Sequence, residues 1–212
     1  NPSPLSAPLS VSLSSASPQA AFFADAACAT LISSRTISAA STTAIFYMSD
    51  TVAGSPTLTM SSSLGSVSHA VTVAPTVPYR LVFASAAKTI TAGLCSTGVS
   101  LQIRDTYDNA SVSTATTPIF LSSSSGTLNF YSDASCSTAT TQVAVSLGSS
   151  TATGFYFNET AAGTPSLAGT AASLLPASQS ATVGPATPAV LAFSAASGDF
   201  LAGGCSGPLT ID

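Results

Sequence analysis

Phe22-Phe23-Ala24-Asp25-Ala26-Ala27-Cys28 is answered 108 residues later by Phe130-Tyr131-Ser132-Asp133-Ala134-Ser135-Cys136. The match extends outward from this pair. Phe46-Tyr47-Met48-Ser49-Asp50-Thr51-Val52-Ala53-Gly54-Ser55-Pro56 corresponds to Phe155-Tyr156-Phe157-Asn158-Glu159-Thr160-Ala161-Ala162-Gly163-Thr164-Pro165 at an offset of 109. Pro75, Pro78, Leu81, Phe83, Ala92, Gly93 and Cys95 correspond to Pro185, Pro188, Leu191, Phe193, Ala202, Gly203 and Cys205 at an offset of 110. Leu101-Gln102-Ile103 then corresponds to Leu209-Thr210-Ile211 at 108. Self-similarity at a nearly fixed period marks a repeated structural unit, and a drift of one or two residues fits small loop insertions. The chain reads as two copies of one unit of about 108 residues.

Each copy has the pattern of β-structure. Leu81/Phe83, Leu101/Ile103, Leu128/Phe130, Val143/Val145 and Phe155/Phe157 are spaced at period two, as in strands with one buried and one wet face. Turn-forming residues separate them at Thr106 to Asn109, Ser122 to Gly126, Leu147-Gly148 and Ala162 to Pro165. No stretch sustains a 3.6-residue period with caps. Seven or eight short strands per copy predict a sandwich of two antiparallel sheets.

Composition narrows the function. Only 6% of the 212 residues are charged, with four Lys+Arg and a net charge of -4, so no basic patch exists to neutralise nucleic-acid phosphates or an anionic membrane surface. Mean hydropathy is +0.48, yet no apolar run approaches the roughly 18 residues of a spanning helix. Neither nucleic acid nor membrane insertion is expected. The sequence begins at Asn1 without a leader pattern, which predicts a processed product or a stretch of a longer protein. The regularly placed aromatic and β-branched residues argue against disorder in so Ser/Thr-rich a chain.

Leu101-Gln102-Ile103-Arg104-Asp105-Thr106-Tyr107-Asp108-Asn109 resembles the strand and turn that recur in bacterial immunoglobulin-like repeats of the invasin/intimin and filamin-like kind. Ala92-Gly93 and Thr160-Ala161-Ala162-Gly163-Thr164 are similar to that family as well. The resemblance implies tandem immunoglobulin-like β-sandwich domains, an all-β fold serving as spacer or adhesive module on a bacterial surface. If such domains start after the Pro-containing junction, residues 77–186 are a complete unit and residues 1–76 a unit lacking its first strands. Residues 187–212 are then the first strands of a following unit. Three arrangements satisfy that frame. The chain is a window on a longer array, or its last segment folds back on its own first unit. Or residues 187–212 of one subunit complete residues 1–76 of the next, a head-to-tail polymer by strand addition.

The same frame bears on the cysteines, which allow three pairings. Cys95 and Cys136 belong to one unit and are expected to pair, leaving Cys28 and Cys205 for neighbouring units or subunits. The alternative is Cys28–Cys95 with Cys136–Cys205. Either scheme implies an oxidising place, the periplasm, the cell surface or outside the cell, and of these the surface or outside is expected.

Chemistry-bearing residues are few. His69 aligns with Gln179, so the second copy does without it, and a solvent-facing strand position is expected. Asp50 and Glu159 fall at equivalent turns and predict hydrogen bonds to backbone rather than a glycosidase pair. Gly-x-Ser-x-Gly and Cys-x-x-Cys are absent from the sequence, so neither an enzyme nor a zinc site is expected, and no cofactor. Asp105, Asp108 and Asn109 are oxygen donors that a Ca²⁺ at a domain junction could use, with a turn stabilised by Asp and Asn as the simpler reading. Asn109-Ala110-Ser111 and Asn158-Glu159-Thr160 fit the glycosylation pattern. A binding role would draw on Tyr47, Tyr107, Tyr131 and Tyr156, since the chain has no Trp, although Tyr47 and Tyr156 fall inside strand patterns and are equally candidates for the core. The function expected is a structural repeat of an extracellular bacterial fibre or stalk, self-associating head to tail or with neighbouring repeats. The alternative is an adhesin for a surface glycan or host receptor.

Overall fold

The computed structural model describes residues 4–188, 190, 193 and 199–211. Asn1, Leu191 and part of the expected 187–212 segment lie outside the described residues. The described chain is all-β, and no helix in it is long and apolar enough to cross a membrane. Seven strands come first: β1 (Leu9–Ser15), β2 (Ala21–Phe23), β3 (Leu31–Ile32), β4 (Ser34–Ile37), β5 (Tyr47–Ser49), β6 (Thr57–Ser62) and β7 (Gly65–Ala70). Ten follow: β8 (Arg80–Phe83), β9 (Thr89–Thr91), β10 (Leu101–Arg104), β11 (Thr117–Ser123), β12 (Asn129–Tyr131), β13 (Gln142–Val145), β14 (Tyr156–Asn158), β15 (Ser166–Thr170), β16 (Ala177–Ser180) and β17 (Thr182–Gly184).

Strands of the first set pair with one another, and so do those of the second. The first set forms a sheet ordered β4-β1-β6-β7 and a smaller one ordered β3-β2-β5. The second repeats this as β13-β11-β15-β16 and β12-β14, and adds the antiparallel pair β10-β8. Registers repeat too. Leu13 lies opposite Met60 as Leu121 lies opposite Gly169, and Phe22 opposite Met48 as Phe130 lies opposite Phe157. The repeat read from sequence is thus a repeat of hydrogen-bonded pairs.

Alternation dictates which side chains turn inward. Leu101, Ile119, Val145, Phe155 and Phe157 are fully excluded from solvent and meet in one core with Leu81, Val99, Ile103 and Leu167. Phe130 and Phe155 meet edge to face with centroids 5.8 Å apart, a favoured aromatic geometry. The first set is poorer. Leu13, Phe22 and Leu58 are buried, but Phe46, Met48 and Met60 are only partly covered. The second core owes its closure to Leu81, Val99, Leu101 and Ile103, which come from β8, β10 and the segment before β10.

Four expectations need correction. Ser122 and Ser123 belong to β11, and the turn begins only at Ser124, because the alternation of Ile119 and Leu121 carries the strand past the serines. β9 and β17 run parallel, through Thr182↔Thr89 and Val183↔Ile90, an arrangement open to segments separated by a long crossover. Tyr47 points outward from β5 while Phe46 and Met48 face the core. Finally, Phe193 pairs with Ile211 as Phe83 pairs with Leu101. The 110-residue offset therefore continues to the end, and Leu209 and Ile211 correspond to Val99 and Leu101 rather than to Leu101 and Ile103.

Candidate functional site at the junction of the two strand sets

The turn after β10 is where the two sets of strands meet. Asp105 is fully buried there. Its Oδ1 accepts the backbone N–H groups of Tyr107 and Asn109 at 2.9 and 2.8 Å. Its Oδ2 accepts the N–H of Thr76 at 2.8 Å and the side-chain amide of Asn109 at 3.0 Å. Burial pushes the Asp105 carboxyl up. The Asn109 amide and the N–H groups of Thr76, Asn109 and Tyr107 outweigh it and hold the group down at about 2. Hydrogen bonding to the charged form wins because four N–H donors, three from the turn and one from Thr76, converge on the one carboxylate.

Asn109 reaches the other way. Its side chain donates to the carbonyl of Thr51 at 2.9 Å and accepts the N–H of Ala53 at 2.9 Å. Ser111 donates its hydroxyl to the carbonyl of Thr76 at 2.6 Å. Tyr79 donates to the Arg104 carbonyl and receives the Leu175 N–H, which ties the connecting segment to β10. Three side chains from one turn thus grip the loop after β5 and the connecting chain.

Asp108 takes a separate role. It accepts from Arg80 at 2.7 Å and from Arg104 at 2.8 Å, and these guanidiniums hold its carboxyl below the usual range. The pairs are about half exposed and contribute little to stability. Asp105, Asp108 and Asn109 therefore do not converge on one point. The oxygens offered to Ca²⁺ by the sequence reading are turned to N–H donors and guanidiniums, and turn chemistry accounts for all three. Among the described residues no group of three or more His, Cys, Asp or Glu could hold a metal.

The remaining acidic residues up to residue 188 are also occupied. Asp25 accepts N–H groups from Ala27, Ala29 and Thr30. Asp133 does the same for Ser135, Ser137 and Thr138 in the second copy, and takes the Ser135 hydroxyl. Asp50 accepts from Val52, and Glu159 from Thr160, Ala161 and the Thr127 hydroxyl. Burial raises Glu159, but the Ala161 N–H and the Ser125 and Thr127 hydroxyls bring it to about 2. Alignment alone flagged Asp50 and Glu159 as turn residues. It missed Asp25 and Asp133, although both stand in the segment whose repetition is clearest.

Cys95 and Cys136 form a disulfide with Cα atoms 5.8 Å apart, whereas Cys28 and Cys205 are unpaired. That excludes Cys28–Cys95 with Cys136–Cys205 in this fold, since β14 lies against the Cys95 segment and against β12. His69 is exposed on β7, opposite Leu58. Tyr107 is exposed at the tip of the junction turn, and Tyr131 and Tyr156 are half-buried. The four tyrosines do not form one site: Tyr131 and Tyr156 are cross-strand partners, while Tyr47 pairs with Phe23 in the other set.

No protein-family model and no curated protein matches the sequence. Among solved structures, a β-glycosidase from Bacteroides vulgatus is similar over 86% of this chain at 11% identity and TM-score 0.41. The chain spans 23% of that protein's length. Domains 4 and 5 of the S-layer protein SbsC are similar over 82% of this chain and 70% of theirs, at 13% identity and TM-score 0.35. A glycosyl hydrolase family 2 member from Bacteroides cellulosilyticus is similar over 86% of this chain and 24% of its own, at 12% identity and TM-score 0.41.

Proposed function

We propose that this chain is a structural repeat of an extracellular bacterial fibre or surface stalk, built from immunoglobulin-like sandwiches held end to end. The observation that carries the reading is the grip of Asp105 and Asn109 on Thr76, Thr51 and Ala53. A flexible linker would leave neighbouring modules free to reorient. Here the orientation is set by hydrogen bonds between side chain and backbone, as a load-bearing spacer requires. A native disulfide and a nearly uncharged, hydroxyl-rich surface suit an oxidising, extracellular setting. The reading involves no turnover and no cofactor.

The test is spin-label distance measurement between one site in residues 4–76 and one in 80–184, in the intact protein and in Asn109→Ala. A single narrow distance in the intact chain, broadened by the substitution, supports a rigid spacer. A broad distribution in the intact chain overturns it.

One observation favours a second reading, an adhesin for a surface glycan or host receptor. Tyr107 presents an exposed ring at the apex of the junction turn, a position where a sugar face could stack. Binding on a glycan array, lost in Tyr107→Ala, would replace the spacer reading by this one.

A further inference from the structure

Two halves of one interface are present in this chain, and among the described residues neither is covered by the other. The first half is an open face. In the second set of strands, the edge of β14 turned away from β12 is covered by residues 95–99. The N–H groups of Ser96 and Val99 donate to the carbonyls of Phe157 and Phe155 at 2.8 Å, and Phe155 donates back to Val99 at 3.0 Å. Among the described residues, the equivalent strand β5 has β2 as its only strand partner. The side chains that β8 and β10 would cover remain accessible: Val11, Ile37, Phe46 and Met60 line an apolar hollow around Leu13.

The second half is residues 199–211. At the 110-residue offset fixed by the Phe193↔Ile211 pair, they repeat residues 89–101, which include β9 and the start of β10. Their turn already has the same shape. Gly203 and Gly93 both have φ +84°, and Gly204 donates to Leu201 as Leu94 donates to Thr91. Yet Phe200, Leu209 and Ile211 are all more than half exposed, whereas Val99 and Leu101, the counterparts of the last two, are buried.

We propose that residues 199–211 of one copy of this chain cover the open face of residues 4–76 in a second copy. They take the place that residues 89–101 have within the second set. This rests on the spacer reading and names its partner. Leu209 would lie beside Phe46 as Val99 lies beside Phe155, Ile211 would fill the place of Leu101, and Phe200 that of Ile90. Cys205 would sit opposite Ser49, as Cys95 sits opposite Asn158. That brings it to Cys28, the counterpart of Cys136 and held in the same backbone conformation, φ 53° against 51°.

Two residues of the open face differ from the template. Met60 stands where Gly169 receives Leu101, and its unbranched side chain can lie flat under Ile211. Arg35 stands where Val143 is buried. Its methylenes can line the face while the guanidinium stays at the rim.

The bond between copies forms by exchange with a small disulfide such as oxidised glutathione. The Cys28 thiolate attacks that disulfide and releases one glutathione thiolate. The Cys205 thiolate then attacks the mixed disulfide and releases the second, and the two thiol protons pass to buffer.

The experiment uses the full 212-residue chain in a glutathione redox buffer, as Cys28→Ser and Cys205→Ser variants, separately and mixed. Under denaturing, non-reducing conditions each variant alone should stay near 20.7 kDa, while the mixture should give one covalent species of twice that mass. Its digest should contain Cys205 of one variant joined to Cys28 of the other. Adding Ile211→Asp to the Cys28→Ser chain should slow cross-linking at least about tenfold without changing its circular dichroism. Four outcomes would overturn the proposal: no dimer in the mixture, equal dimer in a single variant, cross-linking unaffected by Ile211→Asp, or a wild-type monomer with an internal Cys28–Cys205 bond. A rigid junction without cross-linking would overturn this inference alone and leave the spacer reading standing.

Discussion

Cys28 and Cys136 share a left-handed backbone conformation at the same point of an Asp-capped loop, although only Cys136 is bonded. The loop is therefore shaped by the carboxylate and not by the disulfide. In both copies the Asp three residues before the Cys gathers three backbone N–H groups and closes the turn around it.

Reduction of Cys95–Cys136 should then lower stability without dismantling the 132–138 loop. The bond closes a 41-residue separation, worth about 4 kcal/mol if it acts by restricting the unfolded chain. Urea unfolding with and without reductant measures the loss, and amide exchange of Ser137 and Thr138 reports the loop. Asp133→Ala should show the converse, with those amides exposed while the disulfide persists. Unchanged urea midpoints on reduction would contradict the first expectation.

Acid should weaken the protein through Asp105 and Glu159. Both folded-state values are near 2, against ordinary values of 3.8 and 4.5. A carboxyl depressed on folding contributes stability that is complete above its unfolded value and lost as pH falls through its folded value. Stability should be flat above about pH 5 and fall steadily between about pH 4.5 and 2. Asp105→Asn should flatten part of that slope and cost about 1–3 kcal/mol at neutral pH, because an amide cannot accept all four N–H donors as a carboxylate does. Urea midpoints across pH for both proteins check the claim, and identical slopes would refute it.

Gly169→Ala tests the packing difference between the two copies. A Cβ at Gly169 would lie 2.9 Å from Leu101 Cδ1 and 3.3 Å from Ile119 Cγ2, both side chains being fully buried. Overpacking of this kind costs about 1–3 kcal/mol. At the equivalent place in the first copy, where the face is open, Met60→Ala should change the urea midpoint far less. Equal losses at the two positions would mean the faces are covered alike.

The architecture was largely legible in residues that alternate. Leu101/Ile103, Val143/Val145 and Phe155/Phe157 announce strands because burial on one face leaves a period of two, and all six are buried. The Cys95–Cys136 bond followed from where the unit was taken to begin. Less was legible where identity depends on geometry. The sequence offered a turn as the simpler reading of Asp105, Asp108 and Asn109 beside Ca²⁺ ligation, but not the reach of Asp105 to Thr76 or of Asn109 to Thr51 and Ala53, because a sequence shows oxygens and not the N–H groups that meet them. The match of Leu209 to Leu101 misled because two Leu-x-Ile triplets are more alike than the aligned triplets Val99-Ser100-Leu101 and Leu209-Thr210-Ile211. Backbone pairing, which ignores side-chain identity, fixes that register.

The disulfide also decides how such a unit yields when pulled by its two ends. Tension entering near β8 and leaving near β17 is carried across the Cys95–Cys136 bond and bypasses the chain between them. Those 41 steps would otherwise release about 140 Å of contour length at roughly 3.4 Å each. A forced unit in its oxidised state gives up only the remainder, so a strand of such modules would lengthen in shorter steps and keep part of every module folded against re-pairing with its neighbours.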